Sequence, residues 1–276
     1  MRTVLIPVLL MAACMPAAGQ AGGAATDPSS LVNHAYTVSD TAFSNVVGQS
    51  VQAVRLPISY TLRSMEDHAW GATLHFPVSI GLHEFQASDA FGGELRENVA
   101  TVSAMAGVEF QVPTGKLWVL RPFAELGAGT DFDDEEVAYI YSTGIRGVAE
   151  VPREKRLYRF GLGLDYDGAT LAGGGPSDGF TTLETGLDVR FPISRSLASR
   201  GADWSVYAIR RRFLEALTFD QLNGETIELR NQNELGVTLG FDRPFGFWLL
   251  NISRIGIGVR FGEKLSSVRI LFGVPF

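Results

Sequence analysis

Trp70-Gly-Ala-Thr-Leu-His-Phe-Pro-Val-Ser-Ile-Gly-Leu82 is the stretch that decides the fold. Its even positions are all apolar: Trp70, Ala72, Leu74, Phe76, Val78, Ile80 and Leu82. Its odd positions hold Gly, Thr, His, Pro and Ser. A strand sends alternate side chains to opposite faces, so a period of two marks a strand with one greasy face and one small or polar face.

The same alternation recurs along the chain. Leu56, Ile58, Tyr60 and Leu62 alternate with Arg55, Pro57, Ser59, Thr61 and Arg63. Tyr158, Phe160, Leu162, Leu164 and Tyr166 alternate with Arg159, Gly161, Gly163 and Asp165. Eleven such strands are legible between Val51 and Phe276. A soluble β-sandwich alternates too, but three features favour a membrane barrel. The strands are long enough to cross a bilayer at a tilt, about 9–11 residues each. Trp70, Trp118, Tyr158, Tyr166, Trp204 and Trp248 gather toward strand ends, as an interfacial girdle requires. Short turns at Pro113–Lys116 and Pro152–Lys155 contrast with long polar or Gly-rich stretches at His83–Glu97 and Gly168–Phe180. The predicted fold is all-β: a transmembrane antiparallel up-and-down β-barrel of about twelve strands.

The first residues read as an export signal. Arg2 precedes an apolar run, Val4–Ala13, and Ala17-Ala-Gly19 offers a small-x-small cleavage site. The run is short of the roughly 20 apolar residues a membrane helix needs. Residues 1–20 are therefore expected to be a signal peptide, 21–50 an N-terminal segment and 51–276 the barrel. Cys14 is the only cysteine. It either leaves with the signal or serves as a lipobox behind Met11-Ala-Ala13, where Met11 stands in for the usual Leu. A thiol-free mature chain suits an oxidising periplasm. The net charge of −7 speaks against a nucleic-acid partner.

Val268, Ile270, Phe272, Val274 and Phe276 alternate to the end of the chain. A terminal Phe with this spacing resembles the closing-strand signal of bacterial outer-membrane proteins. That resemblance implies recognition by the barrel assembly machinery through the strand ending at Phe276. Together with Leu117–Gly127 and the Gly-rich Ile255–Gly262, it makes the mature chain similar to the solitary autotransporter-like β-barrels of Gram-negative outer membranes. The likeness is one of strand style and length, and it covers the whole chain after the signal. It implies a barrel without a passenger, embedded in outer-membrane lipid, and it supplies no catalytic residue and no cofactor.

Bacterial barrels carry an even number of strands, so eleven leaves one crossing to find. Leu31–Val47 offers two solutions. One is a twelfth strand. The other is a helix or plug inside the pore: Leu31, Ala35, Val38, Ala42 and Val46 fall near helical spacing, after a start at Asp27-Pro-Ser-Ser30. Inward glycines, among them Gly161, Gly163, Gly186, Gly236, Gly240, Gly256, Gly258 and Gly273, either leave room along the interior or relieve strain in a curved sheet.

The polar faces carry the candidate chemistry. They place Arg55, Arg63, Arg121, Arg159, Arg190, Arg230, Arg260 and Arg269 inside. Glu109, Glu125, Asp165, Glu184, Asp188, Glu228, Glu234 and Asp242 join them. Unpaired buried charge is costly, so near-balanced signs favour cross-strand pairing; a charge-selecting constriction is the alternative. The acidic run Asp131–Glu136 offers carboxylates to a divalent cation. It lacks the Gly and spacing of a calcium loop and reads as solvated. Of His34, His68, His75 and His83, His75 reads as an interior histidine. His83 falls at the expected outer rim, on the side of Asp133, so a rim hydrolase is the alternative function. One cysteine cannot build a thiolate zinc site. The expected function is non-enzymatic: an outer-membrane barrel acting as a narrow pore or structural surface protein, with no catalytic, cofactor or metal residue assigned.

Overall fold

A computed structural model describes residues 43–46, 49–56, 58–65, 67–83, 99–131, 137–173, 177–197, 200–220, 226–247, 250–262 and 265–276. These residues form strands and turns and no helix. The strands are β1 (Phe43–Val46), β2 (Gln49–Leu56), β3 (Ser59–Arg63), β4 (Gly71–His75) and β5 (Val78–His83). Then come β6 (Val99–Thr114), β7 (Trp118–Asp131), β8 (Val137–Arg153), β9 (Arg156–Leu171) and β10 (Ser177–Leu197). The last four are β11 (Arg200–Asp220), β12 (Thr226–Phe247), β13 (Leu250–Gly262) and β14 (Leu265–Phe272).

Fourteen segments make twelve antiparallel up-and-down strands. β2 and β3 are halves of one strand, and β4 and β5 are halves of the next. β2 pairs with β5 and β3 with β4, while β6 takes both β4 and β5 along one edge. One break falls at Pro77, which has no N–H to give to a ladder. Across it the Phe76 N–H bonds the Ile58 carbonyl at 2.8 Å and the Met105 N–H bonds the Pro77 carbonyl at 3.0 Å. From β6 onward every strand pairs with its sequence neighbour. β1 lies between β2 and β14, joined to β14 by three residue pairs from Phe43–Val268 to Asn45–Ser266. Through this short seam the succession of pairings returns to its start, giving a barrel-like sheet.

Phe43–Val46 is thus the twelfth strand, and the sheet begins before Val51. Val46, one of the helical positions weighed above, is in a strand; the rest of the helix or plug expectation lies outside the described residues, as do Cys14 and the signal. The two predicted tight turns are present. Gly115 closes the first in the left-handed region (φ 81°), and Glu154-Lys155 close the second. The predicted long loop at Gly168–Phe180 is largely strand, since β9 runs to Leu171 and Gly168 pairs with Gly179.

The predicted closing strand is also corrected. β14 stops at Phe272. Gly273 takes φ 114°, a conformation open to glycine, and its N–H bonds the Arg254 carbonyl at 2.8 Å. The chain then leaves the ladder and the Phe276 ring comes to rest against Gly161 of β9 and Gly186 of β10, which are paired with each other. A Cβ at either glycine would overlap the ring. Phe276 therefore sits on the inner face and does not extend the outer one.

Two packing regimes share the sheet. Toward the Phe276 end, Phe160, Leu162, Leu187, Trp204, Val206, Leu235, Val237 and Ile257 are exposed on the outer face. The inner face there buries Arg159, Asp188, Glu234, Arg260 and Arg269. Toward the opposite end the inner face turns apolar. Met105, Ile140, Phe180, Phe213, Leu217 and Leu229 pack as one buried cluster, with the Phe180 and Phe213 rings edge-on at 5.8 Å. Over the same stretch the outer face of β11 and β12 carries Arg210, Arg212, Glu228 and Arg230, with the exposed Leu214 beside them.

Candidate functional site

The interior ion cluster centres on Glu234, which is fully buried. The register builds it. Glu234 of β12 lies opposite Ile209 of β11 and Arg260 of β13. On β11, Tyr207 and Arg211 flank Ile209 two residues away on either side, so both share its inward face. Arg269 of β14 pairs with Gly258, two residues from Arg260. Gly236 and Gly258 carry no side chain because Tyr207 fills that space; a Cβ on either would collide with its phenol. Of the glycines read as leaving room or relieving strain, Gly236 and Gly258 make room for Tyr207, and Gly161 and Gly186 for Phe276.

Five hydrogen bonds from four residues converge on the Glu234 carboxylate. The Tyr207 hydroxyl donates to Oε1 at 2.7 Å. Arg269 Nη1 donates to Oε1 at 3.1 Å and Oε2 at 3.3 Å. Arg260 Nε and Arg211 Nη1 donate to Oε2 at 2.8 and 3.0 Å. Arg211 Nε also meets Glu184 at 2.8 Å, and Arg146 pairs with Asp165 at 3.1 Å while stacking over the Phe123 ring. Nearer the Phe276 end, Arg254 bonds Asp203 and the Thr238 hydroxyl, which in turn bonds Ser205 at 2.7 Å. Arg190 pairs with Asp188 at 2.9 Å and Arg159 with Glu150 at 3.3 Å.

A carboxylate held by three guanidiniums and a phenol is fixed and saturated with donors. It is poorly suited to taking a proton from a substrate, because its lone pairs are engaged. It is well suited to tying four strands together.

Of the residues predicted inside, Glu109, Glu125, Arg159, Asp188, Glu234, Arg260 and Arg269 are buried. Arg121, Asp165, Glu184 and Arg190 are half-buried. Four placements are corrected. Glu228 and Arg230 are exposed, with Leu229 buried between them. The cause is a register shift between Arg212 and Leu217 against this part of β12, which reverses its faces. Asp242 is exposed within a second shift, between Gly240 and Phe245. Arg63 lies over the exposed Trp70 ring at 4.3 Å, after a shift between Thr61 and Arg63. Arg55's side chain falls outside the described residues. Tyr207, Arg146, Asp203 and Arg211 join the interior without being singled out by the alternation; for Arg211 the run Arg210-Arg-Arg212 inside a strand is the available signal.

The rim constellation falls largely outside the described residues. His34 and Asp133 lie outside the described residues, and so does the side chain of His83, whose backbone ends β5 opposite Val51. His68 is exposed and His75 is half-buried in β4. The acidic run is described only at Asp131, the end of β7. Among the described residues, no group of three or more His, Cys, Asp or Glu could hold a metal ion. No family model matches the chain, and no curated protein matches it.

Proposed function

We propose that this chain is an outer-membrane barrel of the passenger-free, autotransporter-like kind, serving as a structural surface protein that conducts narrowly at most. The observation that carries the reading is the inverted polarity: large apolar side chains outside, ion-paired charges inside. A soluble sheet does the reverse, and water would not tolerate so continuous an apolar surface. β9 gives the scale. Tyr158, Phe160, Leu162, Leu164 and Tyr166 form an outer strip bounded by tyrosines. Its eight residue steps span about 27 Å along the strand at ~3.4 Å each. At a tilt of about 40° that is roughly 20 Å of height, close to the ~25 Å apolar band of outer-membrane barrels.

Further aromatics lie toward the Phe276 ends of their strands: Trp70, Phe110, Trp118 and Trp204 are all exposed there, as an interfacial girdle requires. Among the described residues no helix is long and apolar enough to cross a membrane, so the reading rests on the strands. The bacterial outer-membrane address rests on the export signal. The Glu234 cluster, the Phe276 ring and the apolar cluster at the far end are what favour a structural role over an open pore.

Purified protein should migrate differently on gels with and without heating and should resist protease in detergent. A soluble, heat-unmodifiable protein would overturn the membrane reading. In planar bilayers it should give no channels or only small ones; large discrete porin-type steps would overturn the occluded interior.

A further inference from the structure

On the outer face of β11, Trp204, Val206 and Ala208 are followed in the same file by Arg210 and Arg212, all exposed. The file changes from apolar to cationic at Arg210 and Arg212, with the exposed Leu214 next beyond them. Arg210 lies opposite Thr185 of β10 and Asn233 of β12, and Arg212 lies opposite Leu183 and Asn231. A shallow groove of about 610 Å³ opens here. Leu187, Ala208, Leu235 and Phe261 form its apolar part, and Arg210 and Asn233 its polar part.

Among the described residues neither Arg210 nor Arg212 has a carboxylate within ion-pair distance; Arg210 makes one long bond, 3.4 Å, to the Asn231 side chain. The nearby described acids have other partners. Glu215 accepts the Thr181 N–H at 2.8 Å, and Glu228 pairs with Arg230 at 3.7 Å.

Resting on the membrane reading above, we propose that this groove is a binding site for a phosphate-bearing lipid of the adjoining leaflet. The phosphate lies on Arg210 and Arg212, with the Asn231 and Asn233 amides beside it. One acyl chain runs down the groove over Leu187, Ala208 and Leu235. Three arguments converge. A lipid-facing arginine costs about 2–4 kcal/mol at the bilayer midplane and close to nothing at the interface, which fixes Arg210 at headgroup depth. The inner face turns apolar at Phe213, just beyond Arg210, so the strand independently marks the band as ending there. Guanidinium matches phosphate in charge and in bidentate geometry, and two of them, about 7 Å apart along one strand, face the layer where lipid phosphates lie.

The test uses the full chain in phosphatidylcholine vesicles doped with phosphatidic acid or, separately, with diacylglycerol of the same chains. Lipid retained after extraction is counted by native mass spectrometry. Wild type should retain phosphatidic acid about tenfold over diacylglycerol, the factor carried by one charge-assisted hydrogen bond. The preference should vanish in R210Q/R212Q and persist in R230Q, whose arginine already has Glu228. Inorganic phosphate should compete poorly, because it lacks the chain that fills the groove; full competition would reassign the site to free phosphate and overturn the lipid proposal. Equal retention of the two lipids, or a preference that survives R210Q/R212Q, also overturns it while leaving the membrane reading intact. Failure of wild type to enter vesicles at all, judged by heat-modifiable migration, overturns both.

Discussion

Glu234→Gln removes the charge at the centre of the interior cluster while keeping its shape. Each carboxylate oxygen accepts at least two donors: Tyr207 and Arg269 at Oε1, Arg211, Arg260 and Arg269 at Oε2. The Gln amide must place its NH2 at one of these positions, so whichever way it turns, two or three donors face a donor. A hydrogen bond to a charged group contributes ~1.5–3 kcal/mol, so two lost bonds amount to about 3–6 kcal/mol. Removing one partner of a buried ion pair costs about 3–5 kcal/mol by an independent route, because the remaining charge is left in a poorly hydrated interior. The two agree. The assay is urea unfolding of the detergent-folded protein, followed by tryptophan fluorescence with E228Q as control. Glu228 is exposed and its pair with Arg230 is long, so its loss should fall within ~1 kcal/mol. Equal effects of E234Q and E228Q, or a loss under ~1 kcal/mol in E234Q, would refute the reasoning.

Leu162→Arg puts a cation midway up the outer strip of β9 and should lower the stability of the membrane-inserted state by about 2–4 kcal/mol. Vesicle insertion yield checks it, and full insertion would argue that the strip does not face lipid. Gly186→Val suits a strand but fills the seat of the Phe276 ring. Carboxypeptidase should then release Phe276 from the variant and not from wild type; equal protection would mean the ring is held elsewhere. Phe213→Ala opens a cavity in the apolar cluster beyond the band and should cost about 3–5 kcal/mol, read by the same urea titration. A negligible change would show that this end is not a packed core.

Where the two faces of a strand differ cleanly, the sequence is legible. On β9 the outer residues are aromatic or leucine and the inner ones are charged or glycine, so the alternation survives any register. On β11 the contrast weakens, because inward Tyr207, Ile209 and Phe213 are apolar while outward Arg210 and Arg212 are not. Two opposite polarity rules meet within one strand and cancel. The faces of Glu228 and Arg230 depend on a bulge set by pairing with β11, and composition does not encode it. The tail misleads for a similar reason. Val268–Phe276 alternates like a strand to its end, with Gly273 and Pro275 as the only local warnings. The glycine seat that draws Phe276 inward lies on β9 and β10, far away in sequence. Of the Glu234 cluster, Glu234, Arg260 and Arg269 were legible as inward charges. Their convergence on one carboxylate, and the part of Tyr207, follow from register.

The central claim is that the outer apolar strip faces lipid while the charged face is enclosed. A nitroxide at Leu162→Cys, in a Cys14→Ser background reconstituted in vesicles, tests this most directly through collision with oxygen and with a water-soluble nickel chelate. The account predicts that oxygen reaches the Leu162 label and the chelate does not, and that a label at Arg212→Cys shows the reverse. A Leu162 label relaxed freely by the nickel chelate would contradict it.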